Sequence, residues 1–153
     1  MLWLAVAAVP WMAVLCVIDI RVRRLPNWLT LPGAALIVTV ASLAGYGAEA
    51  VTGGLGLAGV YLVTHVISPR GMGAGDVKLA LGIGALTGTF GLGAWFLCAI
   101  GAPLLTVGAG AVAAALVHRA SALSAARRIR LPHGPSMCAA AVVAIGFAVV
   151  AGE

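Results

Sequence analysis

The chain has 153 residues, of which 63% are apolar and 8% charged, with 21 glycines and a net charge of +5. A mean hydropathy of +1.14 excludes a water-soluble globular domain and leaves a polytopic membrane protein as the class. The positive balance does not point to nucleic acid, because the basic residues fall in short stretches between apolar runs, where they set orientation and touch anionic lipid.

In chain order, the first apolar run covers residues near 2–20. It lacks the basic start of a signal peptide and further runs follow it, so it reads as a span of the mature protein. More spans are predicted near 29–47, 53–68, 77–90, 92–117 and 134–151. The expected architecture is all-α, with about six transmembrane helices forming one membrane domain over residues 1–153. The fourth run is short. The fifth is long, and part of it is expected to tilt or lie along the interface. The stretch Gly53-Gly54-Leu55-Gly56-Leu57-Ala58-Gly59 reads as a surface for close helix packing. Trp3, Trp11, Trp28 and Trp95 are expected to include interfacial anchors, Trp28 especially.

The Lys and Arg residues form three clusters: Arg21, Arg23 and Arg24; Arg70 and Lys78; and Arg119, Arg127, Arg128 and Arg130. With six spans these fall in the loops of one face, which the positive-inside rule makes cytoplasmic, with both termini outside. Glu49 and Glu153 then lie on the far face, whereas Asp19 and Asp76 share the cytoplasmic boundary.

Those four are all the carboxylate side chains of the chain, and an acid beside hydrocarbon is costly enough to suggest a role. Two aspartates from different helices at one depth can hydrolyse a peptide, one carboxylate activating water while the other donates a proton. The plainer alternatives are an anchor for Asp19, paired with Arg21, Arg23 or Arg24, and a cap for Asp76 on a helix starting at Val77. Asp76 would begin a helix and Asp19 end one, so the helix dipoles favour Asp76 as base and Asp19 as acid. Gly73 and Gly75 are expected to supply positive φ values and close backbone approach beside Asp76. The run is not G-x-G-x-x-G, since Lys78 occupies the third glycine position, and it lacks P-loop spacing, which disfavours nucleotide.

Cys16, Cys98 and Cys138 are isolated within apolar runs, and His65, His118 and His133 are scattered. The cysteines read as small core residues and His133 as a loop residue within reach of substrate; no metal or cofactor is implied. A proton-coupled transporter would instead place its acids near the midplane and show inverted repeats, and an inactive scaffold subunit is a third option.

Three segments together carry a family resemblance. Gly71-Met72-Gly73-Ala74-Gly75-Asp76-Val77-Lys78-Leu79 resembles the GxGD signature of the type IV prepilin peptidases. Asp19, followed by Arg24-Leu25-Pro26-Asn27-Trp28-Leu29-Thr30, resembles their first aspartate and the turn after it. Leu131-Pro132-His133-Gly134-Pro135 resembles their cytoplasmic entry into the last helix. The resemblance spans essentially the whole chain. It implies a multi-pass aspartic endopeptidase of the cell membrane that trims the basic leader from pilin-like precursors at the cytoplasmic boundary. Asp19 and Asp76 would be catalytic, and Gly73 and Gly75 the motif glycines. Lys78, Pro26, Asn27, Pro132, Gly134 and Pro135 would be substrate-side or structural, with Lys78 reading equally as a topology charge. The implied partners are a prepilin-like precursor and membrane lipid. Long members carry an N-terminal region with Cys-x-x-Cys motifs and methyltransferase activity; without it, this chain resembles the peptidase-only forms that process Flp-type or archaeal-type pilins.

Overall fold

The computed structural model describes residues 1–69, 72–120 and 133–152, with backbone only at 117–120. Among these residues there are six helices and no strand: α1 (Leu2–Val22), α2 (Asn27–Leu43), α3 (Gly47–Ile67), α4 (Ala74–Gly88), α5 (Leu92–Ala120) and α6 (Gly134–Ala151). The chain is an all-α membrane protein. α1, α3, α5 and α6 are long and apolar enough to cross a bilayer, and α2 is a shorter apolar helix. With 17 and 15 residues, α2 and α4 rise only about 25 and 22 Å.

Several boundaries move from their expected places for local reasons. α2 stops at Leu43 because Gly45 adopts φ 89° and turns the chain. α3 starts at Gly47, with Glu49 in its first turn, where a carboxylate meets the positive end of the helix dipole. All of the glycine stretch from Gly53 is therefore helical. α4 starts at Ala74 rather than Val77 because Gly73 supplies an extended N-cap, with φ −78° and ψ 147°. α5 is a single long helix through Pro103, and its residues from Val107 to Leu116 are mostly exposed.

The shortest helix lies at the centre. α4 packs on α2, α3, α5 and α6, with its largest interface on α3. From Leu79 to Thr87 nearly every residue is buried, which removes any need for one polar and one apolar face. Around it many inward positions are small, as at Ala8, Ala41, Ala50, Ala141 and Ala144, with Leu15, Leu57 and Met137 filling the space between, while large apolar side chains such as Val6, Leu55, Val107 and Phe147 face outward. Membrane helices gain little from hiding leucine from lipid, so close approach of backbones decides what goes inside. The α3–α4 seam carries this furthest. A Cβ on Gly53 would lie 2.5 Å from the Gly84 carbonyl oxygen, and one on Gly54 2.8 Å from that of Leu81.

Two of the four tryptophans belong to the packing rather than to the interface. Trp11 Nε1 donates to the Leu29 carbonyl at 2.9 Å, its ring filling the space beside Gly33 and Gly82. Trp95 Nε1 donates to the Gly53 carbonyl at 2.9 Å. Trp3 and Trp28 are the exposed ones.

Candidate active site

α1 is apolar until its last turns, where Asp19 and Arg21 appear. It ends on Arg23, whose N–H donates to the Asp19 carbonyl at 2.9 Å and whose backbone is left-handed, with φ 54° and ψ 31°. That conformation costs a residue with a side chain about 1 kcal/mol. Arg21, Arg23 and Arg24 are exposed, but Asp19 is buried and turns inward towards α6. Its Oδ2 accepts the Gly134 N–H at 3.0 Å. A Cβ on Gly134 would lie 2.7 Å from that oxygen, so only glycine brings the donor this close. Pro135 follows in the first turn of α6, where a missing N–H leaves no helical bond unmade.

Asp76 is the third residue of α4 and is also buried. Its Oδ2 accepts the Gly73 N–H at 3.1 Å, while its own N–H donates to the Gly73 carbonyl at 3.1 Å. This reciprocal pair caps the helix from within its first turn. The expected positive φ values are not found: Gly73 is extended and Gly75 is helical. What the motif needs is room, the other half of the expectation. A Cβ on Gly75 would lie 3.1 Å from the Leu25 Cβ, and one on Gly73 would touch the Asp76 carboxylate at 3.4 Å.

The two aspartates line one cavity of about 260 Å³ together with Arg23, Arg24, Leu25 and Asn27 on one side and Gly73, Ala74, Gly75 and Lys78 on the other. Across it Lys78 Nζ donates to Asn27 Oδ1 at 2.7 Å, tying α4 to the start of α2. Of the other residues singled out in the sequence, Pro26 is the extended N-cap of α2, and Gly134 stands behind Asp19 as its donor. Pro132 lies outside the described residues, as do Arg70, Arg127, Arg128 and Arg130. The dipole argument for an order between the acids loses its basis, because each carboxylate accepts an N–H at the start of a helix, α4 for Asp76 and α6 for Asp19.

Four further residues bear on the site. His133, read as a loop histidine, has both ring nitrogens engaged: Nε2 lies 3.0 Å from the Tyr61 hydroxyl and Nδ1 2.6 Å from Thr106 Oγ1. Burial pushes its imidazole below the usual histidine range, so it is neutral at pH 7. His65 Nδ1 lies 2.8 Å from the Met72 carbonyl oxygen. The available signal was the pairing of Tyr61 with His65, two ring side chains four positions apart near one end of an apolar helix.

A helical membrane protein with two buried carboxylates on one cavity has the parts for acid and base chemistry. The family model of the type IV leader peptidase family matches residues 6–118, and the chain belongs to that family. The matched span includes most of α1, all of α2 to α4, most of α5 and both aspartates. No curated protein and no solved structure matches.

Proposed function

We propose that the protein is a membrane-embedded aspartic endopeptidase that cleaves the basic leader from type IV pilin-like precursors, with Asp19 and Asp76 as its catalytic pair and the six helices acting as one peptidase domain. The observation that supports this most is the convergence of two buried carboxylates, from α1 and α4, on a single cavity. One carboxylate, as the anion, takes a proton from water as the water oxygen bonds to the scissile carbonyl carbon. The other, as the acid, protonates the carbonyl oxygen. Collapse of the resulting diol breaks the C–N bond, and the amine leaves with a proton from the pair. Two carboxylates sharing one proton titrate as a unit. The Gly73 and Gly134 N–H groups hold each of them in place. A cytoplasmic location for the cavity is supported by the cations at its edge, Arg23, Arg24 and Lys78.

The test is cleavage of a prepilin-like precursor by the purified protein in detergent, normalised to folded protein. Asp19→Asn and Asp76→Asn keep size and hydrogen bonding but remove proton exchange, so each is expected to abolish cleavage nearly completely. The double variant should be scarcely worse than either single one, because members of one catalytic unit do not add. A purely capping or anchoring aspartate would cost on the order of 1 kcal/mol of stability and leave turnover per folded molecule intact. Near-normal turnover in either variant removes that residue from the pair.

A further inference from the structure

α3 contributes no residue to the lining of the cavity, yet one edge of it connects to both carboxylates. Tyr61 and His65 are four positions apart on α3 and so share a face. On the first path, the Thr106 hydroxyl has one proton and a carbonyl to give it to, that of Ala102 at 3.0 Å. Its oxygen is then free to accept from His133 Nδ1–H at 2.6 Å, which leaves Nε2 to accept the Tyr61 O–H at 3.0 Å. Both ends of the ring are fixed, and with them the residue that immediately precedes Gly134, the donor to Asp19. On the second path, a carbonyl oxygen can only accept, so His65 Nδ1 carries the proton it shares with Met72 at 2.8 Å. The Met72 carbonyl and the Gly73 N–H belong to one planar peptide unit. Holding the carbonyl therefore aims the N–H at Asp76.

We propose that Tyr61 and His65 are positioning residues: the edge of α3 that carries them sets the two backbone N–H groups that hold the aspartate pair. As a statement about catalysis this rests on the peptidase reading above; as a statement about geometry it does not. The experiment uses the full chain in detergent with ¹⁵N-labelled glycine. The Gly73 and Gly134 amides, assigned by substitution, report the two hydrogen bonds, and prepilin cleavage reports their use. Tyr61→Phe, which keeps the ring, should shift the Gly134 amide and leave Gly73 in place. Thr106→Val should do the same from the α5 side. His65→Leu should shift Gly73 and spare Gly134, whereas His65→Asn, whose amide nitrogen can reach the same carbonyl, should restore Gly73. In Tyr61→Phe and His65→Leu, kcat should fall by about tenfold to a hundredfold with KM nearly unchanged, the pattern of lost positioning. Unmoved amides, or a shift of both amides in every variant, would overturn the proposal, as would wild-type kcat in Tyr61→Phe and His65→Leu. A wild-type protein that cuts no precursor would instead overturn the peptidase reading, with the amide measurements still deciding the positioning role.

Discussion

Gly134 sits where the smallest possible side chain would collide with the Asp19 carboxylate, 2.7 Å away. Gly134→Ala should therefore displace that carboxylate while leaving helix content unchanged, and a displacement of about 1 Å at a reacting group costs about a hundredfold in rate. Gly75→Ala is the graded comparison. Its Cβ meets Leu25 at 3.1 Å, which asks the neighbour to yield by only a few tenths of an ångström, so its loss of cleavage should be much the smaller. Comparable losses in the two variants would contradict this account. His133 gives a pH dependence. Its folded-state value lies below the ordinary 6.5, so on acidification the unfolded chain takes up the proton first. The contribution to stability is complete above pH 6.5 and declines as the pH falls below it. Thermal unfolding in detergent should show this acid-side loss in the wild type and less of it in His133→Gln; parallel profiles for the two proteins would count against it.

At the scale of elements, the α3–α4 seam makes a prediction that separates glycines of identical sequence appearance. Gly53→Ala places a methyl 2.5 Å from a backbone oxygen that cannot rotate away, and overpacking of that kind costs about 1–3 kcal/mol. Gly59, with nothing within 4 Å of its Cβ position, should accept alanine neutrally or gain about 0.5 kcal/mol. Denaturant or thermal unfolding of both variants checks the contrast. The six helices among the described residues and the approach of Asp19 and Asp76 to one cavity were legible in the sequence, since apolar runs and isolated acids are visible without neighbours. The helix starts at Gly47 and Ala74 were not. Each depends on the residue outside the helix, an extended Gly73 in one case and the turn made by Gly45 in the other. The bond from Gly134 to Asp19 was hidden for a different reason: it joins residues at opposite ends of the chain, and nothing local to either announces the other. Which of the four tryptophans are interfacial was not legible either: the indole N–H groups of Trp11 and Trp95 each find a carbonyl inside the bundle, where the partner is distant in sequence.

For the molecule as a whole, Arg23 and Arg24 after α1 and Lys78 near the start of α4 line the cavity, and Glu49 lies in the first turn of α3, the end away from His65. Labelling of single cysteines in a background without the three native ones should find Arg24 and Lys78 accessible from the cytoplasm and Glu49 from outside. Opposite accessibility for Arg24 and Lys78 would separate the two aspartates and rule out the pair. The enclosure of α4 also has a consequence for how the protein is made. This helix is too short to sit comfortably across a bilayer, opens with Asp76 and Lys78, and is wrapped by partners synthesised both before and after it. It is therefore expected to enter against α3, as a hairpin, with its other flank uncovered until α5 and α6 are made. A chain that stops at Phe90 should be a target for membrane quality-control proteases, and supplying residues 91–153 as a separate polypeptide should rescue it.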